Sequence, residues 1–243
     1  HHPAYRARAA REVLRLQELC EADGVTLRLL SGNHDPYLSD VRHLHLAAGR
    51  VFVTHGDALH RAVAPWSPTA GILREAHEAA LAAFSPETRG HLESVLRASQ
   101  HAAAAEWQLL EEQASHSNLR EMLLRPWTWA QVLWYWHQFP RLAESFAATH
   151  APQASCFIFG HTHRRGIWRF GERVIVNTGS FNFPGRPYLV LVEDSGVGIV
   201  DVRWRRRARR YEPGQTVAEI PLPAAPSAAK TRPGSERPTT PAI

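Results

Sequence analysis

Apolar positions change their period several times along this chain, and each change marks an element. Between Pro3 and Ala22, Ala9, Val13, Leu16 and Cys20 recur at spacings of four, three and four among arginines and glutamates, which predicts an amphipathic helix. Gly24 stands where a helix C-terminus favours glycine. Residues 25–30 then read as a strand running into the polar loop Ser31-Gly32-Asn33-His34-Asp35. Helix, short turn and strand make half of a βαβ unit. Residues 43–46 and 50–55 predict two more strands, joined across Ala47-Ala48-Gly49. From 58 to 150 the helical period takes over, with Ser67-Pro68 and Ser85-Pro86-Glu87 as helix starts and about four helices expected. The unbroken run Cys156-Phe157-Ile158-Phe159 predicts a buried strand that stops at Gly160-His161-Thr162-His163. Strands follow at 167–170, 173–176, 188–192 and 197–202, whereas residues 212–243 turn to Pro, Ala, Ser, Thr and Gly without a period and read as a disordered tail.

This pattern describes an α/β domain over 1–211 in which 58–150 is a helical insertion or cap. A chain of 243 residues with 44% hydrophobic residues can bury a core of that size. The formal charge of +5 comes from one place: Arg203, Arg205, Arg206, Arg207, Arg209 and Arg210 lie within eight residues, and the remainder is near neutral. A pI near 9.7 is therefore no argument for a nucleic-acid-binding fold. The run reads first as a solvated charge cluster, with contact to phosphate or anionic lipid as the alternative. Cys20 and Cys156 are the only cysteines and read as packed, reduced thiols. Together with the absence of any 18-residue apolar run or signal peptide, they lead to a cytoplasmic expectation. The chain opens on His1-His2-Pro3 without a Met, so a piece of a longer protein is expected. Trp127, Trp129, Trp134, Tyr135 and Trp136 crowd one part of the insertion. They read as core of the insert, with a peripheral membrane contact as the second possibility.

Three strand-then-polar-loop units carry the candidate chemistry. Leu27–Leu30 leads to Gly32-Asn33-His34-Asp35, Val51–Val53 leads to Thr54-His55-Gly56-Asp57, and Cys156–Phe159 leads to Gly160-His161-Thr162-His163. Strand-end loops are where α/β folds keep their sites, and imidazole is the commonest ligand for transition metals. Asn33, His55, His161 and His163 offer one amide oxygen and three imidazoles, a set suited to Mn, Fe, Zn or Co. Such ions lower the pKa of bound water and polarise phosphoryl oxygens. Asp35, next to His34, is expected to raise the imidazole pKa, so that a protonated His34 can donate to a leaving alkoxide. With 15 histidines in the chain a single one means little; the joint pattern is what counts.

The ordered set Gly32-Asn33-His34-Asp35, His55-Gly56-Asp57 and Gly160-His161-Thr162-His163, followed by Asn177-Thr178-Gly179-Ser180, resembles the calcineurin-like metallophosphoesterase superfamily across roughly residues 4–202. The resemblance implies a four-layer α/β/β/α sandwich of two mixed sheets with a dinuclear site of two divalent metal ions at the strand ends. It implies Asn33, His55 and His161 as ligands of one metal, His163 as a ligand of the other, His34 as proton donor oriented by Asp35, and a metal-bridging hydroxide as nucleophile. Two motifs of that family, Asp-x-His and Gly-Asp-x-x-Asp, do not occur before Gly32, so the sandwich is expected to be N-terminally incomplete and the site short of carboxylates. The placement of the helical insertion is similar to that in members acting on lipid-linked substrates, such as UDP-diacylglucosamine pyrophosphohydrolases.

The resulting expectation is a phosphoesterase acting on a phosphomonoester, phosphodiester or pyrophosphate of a small or lipid-linked molecule, with no sequence-specific nucleic-acid partner. A non-catalytic scaffold on the same fold is the alternative. A nucleic-acid binder working through Arg203–Arg210 is a third reading, one that predicts affinity falling steeply with salt.

Overall fold

Strands β2 (Val51–Thr54), β3 (Cys156–Phe159) and β5 (Arg173–Asn177) are built from alternating residues that are apolar on both faces, and this decides the layering. Val51, Cys156, Ile158, Val174 and Val176 point to one side, where they pack with Val197, Ile199 and Ile220 of a second sheet and with Leu222 just beyond it. Phe52, Phe157, Phe159 and Ile175 point to the other, where they meet Leu96, Tyr135, Phe139, Ala143 and Phe146 from helices. The computed structural model of the chain describes residues 3–63, 65, 67, 69–112, 126–181 and 185–224. Within these residues the order is helices, sheet, sheet.

The first sheet is mixed, with order β1-β2-β3-β5-β4, where β1 is His43–Leu46 and β4 is Gly166–Phe170. β2 runs parallel to β3, and β3 parallel to β5, while β1 and β4 close the two edges antiparallel. The second sheet is wholly antiparallel, with β6 (Tyr188–Val192), β7 (Gly196–Arg205) and β8 (Arg210–Pro221) in order. The expected pair of mixed sheets is thus corrected to one mixed and one antiparallel. The long β2-to-β3 crossover holds α2 (Ala70–Ala82), α3 (Leu92–Glu112) and α4 (Pro126–His150), while α1 (Pro3–Ala22) precedes β1. Among the described residues no helix is long and apolar enough to cross a membrane.

Several expectations change. Residues 25–30 form no strand; they help line a cleft of about 490 Å³ with Cys20, Leu38 and Val41, and among the described residues no strand pairs with them. Ser67 does not cap α2, which starts at Ala70 after Thr69. Ser85 instead opens a single helical turn, its carbonyl accepting from Arg89 N–H at 2.9 Å, before α3 begins at Leu92. The expected tail is a strand at its start, because residues 210–221 are β8; residues 225–243 lie outside the described ones. In the aromatic stretch Tyr135 is core, Trp136 packs against that core and Trp134 is exposed. The side chains of Trp127 and Trp129 lie outside the described residues.

Candidate functional site

Parallel strands bring their C-terminal ends to one edge of a sheet, so the loops after β2, β3 and β5 are neighbours by topology. His55 leaves β2 at that edge, and Gly160–His163 leaves β3 beside it, with Gly160 N–H donating to His55 O at 2.9 Å. The Gly32–Asp35 loop comes in from outside the sheet. Its Asn33 Oδ1 lies 3.1 Å from His55 Nε2 and 3.2 Å from His161 Nδ1. Three donor atoms from three distant segments therefore meet at one point. His34 and His163 stand beside them with ring centroids 6.1 Å apart, and the His55 and His161 rings are 5.4 Å apart.

Backbone geometry shows how tightly this point is built. His161 and His163 both take left-handed φ values, 63° and 58°, a region that few non-glycine residues enter. Asn177, the last residue of β5, secures the loop: its Nδ2 donates to Gly160 O at 2.9 Å and to Thr162 Oγ1 at 2.7 Å. Gly179 N–H in turn donates to Asn177 Oδ1 at 2.9 Å, which gives Asn177-Thr178-Gly179-Ser180 a bracing role. Gly32 lies against His55 so closely that a Cβ there would come within 2.5 Å of the imidazole. Gly56 has φ 107°, and a Cβ on it would press on Phe159 at 3.2 Å and His161 at 3.3 Å.

The two carboxylates of the motifs are used locally. Asp57 is buried and paired with the equally buried Arg42, whose Nη2 donates to Oδ2 at 3.2 Å. Thr54 Oγ1 donates to Arg42 O at 2.9 Å, so the pair holds the His55 loop to the start of β1. Asp35 Oδ1 accepts from Gly32 N–H at 3.0 Å and closes its own loop. Among the described residues no three His, Cys, Asp or Glu side chains gather as a metal-binding group; the convergent set is two histidines and an asparagine.

Three imidazoles of the site, His34, His161 and His163, are pushed toward neutrality. His161, fully buried, has its pKa well below the ordinary value, first through burial and then through His55. His163 is lowered by burial and by His55. His34 keeps an exposed edge, yet the protein around the rest of its ring, then His55 and His163, lower its pKa as well. Asp35 and Asp57 pull His34 the other way and are outweighed, which corrects the expectation that Asp35 raises it. Neutral imidazoles carry the lone pair that a metal needs.

The separations within the donor set are ordinary hydrogen-bond distances and are also compatible with a shared divalent ion. Donors about 2.1 Å from a shared ion and roughly at right angles lie about 3.0 Å from one another, close to the 3.1 and 3.2 Å edges seen here. His161 is oriented for this by its other nitrogen, Nε2, which lies 2.8 Å from Val63 O. That contact suits Nε2–H as donor and leaves Nδ1 facing Asn33. Val63 itself is fully buried with φ 53°, a strained position for a β-branched residue.

Val63, Trp107 and Gln100 belong to the site without any mark in the motifs. Trp107 Nε1–H of α3 donates to Asn33 O at 3.1 Å, and Gln100 Nε2 of the same helix donates to Pro36 O at 2.5 Å. Helix α3 thereby clamps the loop that carries Asn33. A backbone carbonyl such as that of Val63 leaves no sequence signal, and a contact spanning 74 residues has no local one. No family model, curated protein or solved structure matches this chain.

Proposed function

We propose that this chain is a metal-dependent phosphoesterase on a metallophosphoesterase-type sandwich, acting on a phosphomonoester, phosphodiester or pyrophosphate. The meeting of Asn33 Oδ1 with His55 Nε2 and His161 Nδ1 carries that reading. These three atoms would hold one divalent ion, and His163 would contribute to a second beside it. A bound ion supplies Lewis acidity toward a phosphoryl oxygen and an activated water. The chain's own part is positional. Val63 O orients His161, Gly32 leaves room for the His55 ring, and Trp107 and Gln100 hold the Asn33 loop. His34, at the exposed edge of the cluster, would give a proton to the leaving oxygen once a phosphate gathers charge beside it.

One observation favours a second reading, a scaffold with an incomplete metal site. Asp35 and Asp57 are occupied by Gly32 N–H and Arg42, and among the described residues no carboxylate joins the three donors. Hydrolysis of bis-p-nitrophenyl phosphate and p-nitrophenyl phosphate with added Mn²⁺ separates the two. Turnover that a chelator abolishes and that His161→Ala lacks supports the enzyme. Metal binding without turnover of either ester supports the scaffold.

A further inference from the structure

The arginine run of the sequence occupies the far end of the β7–β8 ribbon, and its surroundings give it a definite chemistry. Trp204 pairs directly with Tyr211 across the ribbon, so both rings stand on one face, with centroids 4.9 Å apart. Phe181, just past the Asn177–Ser180 loop, meets Tyr211 edge-on at 4.8 Å, and Tyr211 Oη donates to Phe181 O at 3.3 Å. The three residues remain partly exposed, at 61%, 49% and 44% for Phe181, Trp204 and Tyr211. The opposite face carries Arg203, Arg205 and Arg210, which pair with Asp201 and Glu212. Arg206, Arg207 and Arg209, in the loop at the tip, make no salt bridge among the described residues.

Three partly exposed aromatic side chains beside three unneutralised guanidiniums match unstacked bases beside phosphates. We propose that the β7–β8 ribbon binds single-stranded nucleic acid without base-specific readout, with bases on Phe181, Trp204 and Tyr211 and phosphates on Arg206, Arg207 and Arg209. A duplex keeps its bases stacked and offers the rings nothing. An anionic bilayer fits less well, because aromatic side chains settle at the headgroup level and charge is costly deeper in. Here the arginine loop is the outermost point, and the rings sit behind the Arg205–Arg210 pair, so entry tip-first would place the charges deepest. The ribbon is also rooted at the candidate centre. Arg165, two residues after His163, pairs with Asp201, which also accepts from Arg203 at 3.0 Å. Binding at the ribbon involves no hydrolytic step and stands or falls apart from the phosphoesterase reading.

Fluorescence anisotropy with a labelled oligothymidylate, the corresponding duplex, and sedimentation with phosphatidylcholine–phosphatidylglycerol vesicles test it on the whole chain. The oligothymidylate should bind, with a log–log salt slope of about −2 for three phosphate contacts. Trp204→Ala should weaken binding about tenfold or more with the slope kept, and Trp204→Phe should restore most of it. Replacing Arg206, Arg207 and Arg209 by serine should flatten the slope. Failure to bind the oligothymidylate at low salt, equal affinity for the duplex, an unaffected Trp204→Ala variant, or binding to vesicles alone would each overturn the assignment.

Discussion

Two aromatic groups in this molecule have similar chemistry and opposite settings. Tyr135, Phe139, Phe157 and Phe159 are buried between the helices and the mixed sheet, and the Phe139 ring lies 6.0 Å from the His161 ring. Phe181, Trp204 and Tyr211 touch one another in the same way but remain partly exposed to solvent. The first group fixes the floor under the candidate centre; the second has only itself to pack on. Burial, and not residue type, separates a structural aromatic from a recognition aromatic.

That contrast can be broken most strongly in the core. Phe139→Ala should cost about 3–5 kcal/mol in urea unfolding, since it empties a site with no room to collapse. Trp204→Ala should cost no more than about 1 kcal/mol, the worth of its cross-strand contact with Tyr211. Equal losses from the two would erase the distinction. Next in size is Gly32→Ala, whose new Cβ must displace the His55 ring. Titration with Mn²⁺ should show metal affinity lowered about tenfold or more, in the range typical when a ligand's support is disturbed. Trp107→Phe is the smallest change, because it keeps the ring and removes one donor to Asn33 O. A loss of about 1 kcal/mol in stability is expected, together with faster amide exchange of the Asn33 loop.

Much of the mixed sheet was legible because strands buried on both faces leave unbroken apolar runs, as in Val51–Val53, Cys156–Phe159 and Val174–Val176. The histidine loops were legible for a related reason: each directly follows one of those strands or, for Asn33, a run of apolar residues. β8 was hidden. Its outward positions are polar and it contains Pro213 and Gly214, residues that an edge strand tolerates and a central one does not. It exists because β7 offers a partner, not because its own pattern demands a strand. Residues 25–30 failed in the opposite direction, with a strand-like pattern and, among the described residues, no strand to pair with. The clamp by Trp107 and Gln100, the Val63 carbonyl and the platform of Phe181, Trp204 and Tyr211 all join residues far apart in the chain, and periodicity carries no information about them.

The central claim is that Asn33, His55 and His161 hold a divalent ion. Equilibrium dialysis against Mn²⁺ of the chain and of its His161→Ala variant, both checked for folding by circular dichroism, tests it most directly. The parent should retain Mn²⁺, and the folded variant far less. Equal retention by both, or none by a folded parent, would contradict it.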